Sequence, residues 1–171
     1  MLLEKGAELG GQLLVATMPP YKEELALLTK YMADQLTRAG VDVRLNVEAT
    51  PELITEENPD ALIIAVGGIP ITPDIPGVDA PNVIAAQDVL AGRETGQNVV
   101  IIGGGMVGCE TGHHLADKGK QVTIVEILKR MANDVSPMVR RRLLDGLRAK
   151  QVAMITNACL LYTSPSPRDR S

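Results

Sequence analysis

Apolar positions change their period several times along this 171-residue chain, and each change marks a predicted element. From Lys22 onward, Leu25, Leu28, Met32, Leu36 and Ala39 recur at spacings of three and four, which predicts an amphipathic helix. Glu23 and Glu24 fall in its predicted first turn, and Gly40 stands where a left-handed residue closes a helix. Val41, Val43 and Leu45 then alternate with polar residues, as in a half-buried strand. Residues 60–67 form a short apolar run ending in glycine, consistent with a buried strand, and Pro70, Pro73, Pro76 and Pro81 punctuate the connector after it. The second half predicts a strand over 98–102, a helix over 105–118, a strand over 121–126, a helix over 136–149 and a short strand over 152–155. Four consecutive β-branched residues at 99–102 predict a strand buried on both faces. Ser136 and Pro137 form an N-cap and N1 pair, and Val139, Leu143 and Leu147 supply that helix with an apolar face. Strands alternating with helices predict βαβ units, a parallel sheet and an α/β fold.

The turn between the strand at 98–102 and its helix carries candidate chemistry. Gly103, Gly105 and Gly108 spell G-x-G-x-x-G, with Met106 and Val107 between the last two glycines. The first glycine allows the tight turn, the second lets the backbone approach a pyrophosphate, and the third lets helix and strand pack closely. Unpaired N–H groups at the helix N-terminus favour phosphate. Glu126, at the end of the next apolar strand, is placed to accept hydrogen bonds from an adenosine ribose. Motif, preceding strand, following helix and distal acid together predict a dinucleotide site. An acid-ended strand also occurs at Glu4, which suggests two dinucleotide sites.

Composition narrows the class. The chain is 45% hydrophobic and 22% charged, with a net charge of −4, three Tyr and no Phe or Trp, so its core must be aliphatic. That charge and the lack of a basic, aromatic patch exclude a nucleic-acid surface. No apolar run is long enough to span a bilayer, and no secretory signal is evident, so no membrane partner and a cytoplasmic setting are expected. The two cysteines, Cys109 and Cys159, are too few for a disulfide framework. Cys109 reads as a structural helix residue, and adjacent His113 and His114 cannot share a metal in the i, i+4 manner. Arg140, Arg141 and Arg142 read as a solvated helix face. No metal site and no general acid, base or nucleophile is identified. Residues 159–169 back-translate to a transposase sequencing adapter read in frame, so 159–171 are expected to be a non-native tail.

These motifs resemble the two-dinucleotide-binding flavoproteins, specifically the C-terminal half of the NADH:flavin oxidoreductase family, which includes the 2-enoate and 2,4-dienoyl-CoA reductases. The resemblance rests on residues 3–5 with 9–13, on 59–67 leading to Pro70 and 75–77, and on 103–110 with 122–126. It implies Rossmann-like parallel sheets, with an NAD-binding domain inserted into a truncated FAD-binding domain. Residues 1–94 would be the partial FAD domain, lacking its first strand and phosphate loop, and 95–158 the partial NAD(P) domain. By resemblance, Glu4 bonds the FAD ribose, and Gly10, Gly11, Gln12 and Leu13 pass along the flavin. Val47 meets the adenine through its backbone, Ala65, Val66 and Gly67 end the strand that joins the two domains, and Glu110 lies near the nicotinamide. Val66 replaces the usual Thr, and Gly112 the usual Ala at a cost of about 0.8–1 kcal/mol in helix propensity. The cofactors implied are FAD and NAD, with NADP disfavoured by Glu126 although Lys129 and Arg130 follow it. NADH would be the donor, and FMN and an iron–sulfur cluster would belong to a missing N-terminal catalytic domain of the same polypeptide. Two alternatives stay open: an electron-transfer module like the glutamate synthase small subunit, and a non-catalytic dinucleotide-binding module.

Overall fold

A computed structural model of the chain describes residues 1–158; the expected adapter-derived tail lies outside them. The chain divides into two compact units, Met1–Ile71 and a second beginning at Thr72.

In the first unit, strand β1 (Leu2–Glu4) pairs in parallel with β2 (Val43–Leu45), in the register Leu2 with Val43 and Glu4 with Leu45. Helices α1 (Gln12–Ala16) and α2 (Leu25–Arg38) connect them. The covered side of α2 carries Leu25, Thr29, Ala33 and Leu36, whereas Leu28 and Met32 are exposed. The inward stripe is thus rotated from the one the leucine spacing predicts. Thr29 meets the turn before α1, where a Cβ on Gly10 would stand 3.3 Å from its Cγ2. Helix α3 (Pro51–Glu57) has Pro51 at its start and Thr50 as N-cap, accepting from Leu53 N at 3.3 Å. Its cap and proline are sequence signals of a helix start.

Residues 60–71 form no strand and are exposed, with Ile63 at 89% and Ile69 at 94%. This corrects the buried strand expected over 60–67. An apolar run becomes a strand only where a neighbour satisfies its N–H and C=O groups, and among the described residues β1 and β2 pair only with each other.

The second unit holds a parallel three-stranded sheet in the order β3-β4-β5: β3 (Asn98–Ile102), β4 (Gln121–Val125) and β5 (Ala153–Ile155). Val99 pairs with Val122, Ile101 with Ile124, and Ile124 with Met154. Helix α4 (Ala86–Leu90) precedes the sheet, α5 (Met106–Asp117) links β3 to β4, and α6 (Pro137–Ala149) links β4 to β5. These are the predicted βαβ units. The core gathers Val89, Cys109, Leu115, Val122, Ile124, Leu144 and Leu147. Because α4 buries Val89 and Leu90, the compact division falls ahead of residue 94. Strand β3 is covered on one face only: Val99 and Ile101 pack on the core, while Val100 is 65% and Ile102 53% exposed. The two-faced burial expected of 99–102 is corrected accordingly, since the helices that bury the sheet touch a single side of β3.

Helices α5 and α6 approach closely because α6 carries Gly146 where they meet. A Cβ there would lie 3.0 Å from the His113 ring. His113 and His114 are buried in the core, and no cluster of metal-ligating side chains occurs among the described residues. No described helix is long and apolar enough to cross a membrane.

Candidate dinucleotide site

The glycine loop is built by the end of β3 and the start of α5. Gly103 adopts φ +101°, a turn conformation that L side chains rarely take, and its N–H donates to Val125 O at 2.9 Å. A Cβ on Gly108 would collide with the Gly103 carbonyl, so helix and turn close on each other only with glycine there. Gly105 is the N-cap of α5 and offers no side-chain acceptor, which leaves the first-turn N–H groups of the helix to other partners.

Glu126 follows β4, 8% exposed, and its carboxylate is committed to the backbone on both sides. Oε2 accepts from Gly104 N at 2.6 Å and Oε1 from Leu128 N at 2.7 Å. Gly104 has to be small: a Cβ would strike Met131 Sδ and lie 2.9 Å from Glu126 Cβ. The acid is therefore fixed beside the glycine loop by two hydrogen bonds, each oxygen keeping a lone pair for a ligand hydroxyl. Glu110 is half-buried, one turn into α5, and Val107 is exposed at the helix start.

The segment between β4 and α6 wraps this loop, and sequence reasoning did not find it. Ala132 N donates to Gly104 O at 2.6 Å, with Ala132 itself at φ +49° and fully buried. Arg140 Nε donates to Met131 O at 2.7 Å, so this arginine is a latch and not merely part of a solvated face. Asp134 accepts from Met106 N at 3.0 Å on both carboxylate oxygens. No local pattern could have linked residues 134 and 106; the signal exists only once the strands are in register. Cys109 is completely buried, its Sγ directed at Gly104 O at 3.3 Å. Burial, reinforced by Asp134, Glu126 and Glu110, pushes its pKa up to about 11, so the thiol is inert at neutral pH. Gly112 has a packing reason, since a Cβ would sit 2.8 Å from Ile124 Cδ1.

In the first unit, Glu4 Oε1 accepts from Gly6 N at 2.6 Å, and Glu4 O accepts from Val47 N at 3.0 Å. These contacts bring Glu4 and Val47 together at the end of the β1–β2 pair. Gly10 and Gly11 both have positive φ ahead of α1. Gln12 Nε2 donates to Gly68 O at 2.9 Å, drawing the 10–13 loop to the segment holding Ala65, Val66 and Gly67, while Leu13 stays partly exposed. The G-x-G-x-x-G loop occurs once among the described residues, in the second unit.

The second unit fits the adenosine and phosphate parts of a dinucleotide: a backbone turn stripped of side chains, a helix N-terminus and a fixed acceptor at the adjacent strand end. The family model described as pyridine nucleotide-disulphide oxidoreductase matches residues 54–161. An NADH oxidase of Thermoanaerobacter brockii is 46% identical over 145 residues, covering 82% of this chain and 22% of that protein. A bilirubin reductase of Mediterraneibacter gnavus (strain CC55_001C) is 40% identical over 157 residues, covering 91% of this chain and 24% of the relative. The structure of a 2-naphthoyl-CoA reductase in complex with 2-naphthoyl-CoA superposes with a TM-score of 0.88 at 32% identity, over 92% of this chain and 24% of that one. The chain thus spans less than a quarter of the length of each of these three relatives.

Proposed function

The chain belongs to the pyridine nucleotide-disulphide oxidoreductase family, whose domain binds FAD and NAD(P)H, and on that premise we propose that it is the dinucleotide-binding part of a longer reductase in which NADH reduces FAD. The bound cofactors supply the hydride chemistry, and the protein holds and orients them. Gly103, Gly105, Met106, Val107 and Gly108 would hold the NADH pyrophosphate and Glu126 its adenosine ribose, with Glu110 toward the nicotinamide. Glu4, residues 10–13, Val47 and residues 65–67 would hold FAD. The 40% identity to a bilirubin reductase and 32% to a 2-naphthoyl-CoA reductase support an enzyme of the enoate or dienoyl-CoA reductase kind. In that reading the organic substrate is reduced at a separate N-terminal domain of the same polypeptide, which carries FMN and an iron–sulfur cluster.

The observation that carries the choice of NADH is the double anchoring of Glu126. With Gly104 N and Leu128 N both bound to it, the carboxylate cannot swing aside for a 2′-phosphate without leaving the buried Gly104 N–H unpaired. Steady-state kinetics of the enzyme containing this chain test the reading. A higher kcat/KM for NADH than for NADPH is expected; an equal or higher value for NADPH overturns the preference.

A further inference from the structure

We propose that Asp134 competes with the dinucleotide's phosphates for the N-terminus of α5 and so sets the affinity of the site. Its carboxylate receives the Met106 N–H at 3.0 Å on each oxygen, on the first residue of the helix. A Cβ on Gly105 would lie 3.2 Å from Asp134 Oδ2, so the carboxylate also covers the glycine that a pyrophosphate must approach. The segment bearing it is fastened to the loop by Ala132 N on Gly104 O and by Arg140 on Met131 O. Asp134 itself is exposed, so its side chain can leave without unmaking those anchors.

A helix N-terminus stabilises one anion in that position, and two negative groups cannot share the same N–H. The apparent affinity for nucleotide is then the intrinsic affinity reduced by the fraction of molecules in which Asp134 has moved away. The acid becomes a displaceable plug that keeps the helix end capped when nucleotide is absent.

This inference rests on reading residues 103–108 as the dinucleotide phosphate loop, and its test separates the two. Asp134→Asn and Asp134→Ser, checked for native folding by circular dichroism, are titrated calorimetrically with ADP-ribose and with adenosine beside the unmodified 171-residue chain. ADP-ribose is expected to bind both variants about 3- to 30-fold more tightly, with adenosine unchanged. Unchanged or weaker ADP-ribose binding by the folded variants overturns the inference and leaves the phosphate-loop reading intact. An equal gain for adenosine also overturns it, because relief is then not at the phosphates. If neither the parent chain nor the variants bind ADP-ribose, the phosphate-loop reading falls and the inference with it. If only the variants bind, both stand.

Discussion

One glutamate ends β1 and another directly follows β4, and the two acids do different work. Glu4 closes a local turn, taking the N–H of Gly6 two residues on. Glu126 reaches back across 22 residues to Gly104 N in the loop of the neighbouring strand, and is buried there. The local sequence signature is the same in both. What differs is the company: β4 lies between two strands with a long helix beginning beside it, whereas β1 has a single neighbour. Among the described residues, Glu126 has another strand's turn and a helix start built around it, and Glu4 does not.

Flavin retention should show that asymmetry most strongly. The first unit offers an acid and the 10–13 loop but no second G-x-G-x-x-G, so FAD bound there would lack several charge-assisted hydrogen bonds of about 1.5–3 kcal/mol each. The purified chain is expected to be colourless near 450 nm, and stoichiometric FAD would erase the distinction between the units. Gly108→Val comes next, since even a Cβ collides with the Gly103 carbonyl. A loss of about 3 kcal/mol in urea denaturation and no measurable NADH binding are expected.

Truncating each acid separates their contributions. Glu126→Ala strands the buried Gly104 N–H and is expected to cost about 1–3 kcal/mol. Glu4→Ala, at a solvated turn, should cost no more than about 0.5 kcal/mol in the same experiment. Equal costs would mean that the two acids are equivalent. A smaller effect concerns Cys109, whose pKa is raised to about 11 from an ordinary value of 9.0. The folded state holds that proton more tightly, so this thiol's contribution to stability is full below pH 9 and is lost as pH rises toward 11. The slope is at most about 1.4 kcal/mol per pH unit. Cys109→Ala should flatten that part of the stability–pH curve relative to the parent chain, whatever its offset. An unchanged slope would contradict the assignment.

The second unit was readable because its signals are local and agree with one another. Four β-branched residues, three spaced glycines, an acid-ended strand and a Ser-Pro helix start each point to the same βαβ arrangement, and β3, α5, β4 and α6 form close to where they are expected. Residues 60–67 misled for the converse reason: composition states that a run is apolar, but not whether a partner strand stands beside it. The same limit hid the exposed faces of Val100 and Ile102. The spacing of leucines along α2 likewise does not tell which side meets the Gly10 turn, and Thr29 is the residue that does. Asp134 and Ala132 carry no local signal, because their roles depend on a loop folding back over residues 28 positions upstream, whereas Arg140, expected on a solvated face, donates to Met131 nine residues before it.

On the proposed function, the second unit binds NADH through its glycine loop and Glu126. Fluorescence titration of the purified 171-residue chain with NADH and with NADPH tests it most directly. Saturable NADH binding about tenfold or more tighter than NADPH is expected, a difference of about 1.4 kcal/mol set against the 2′-phosphate by the anchored carboxylate. NADPH binding as tight as NADH, or tighter, would contradict it.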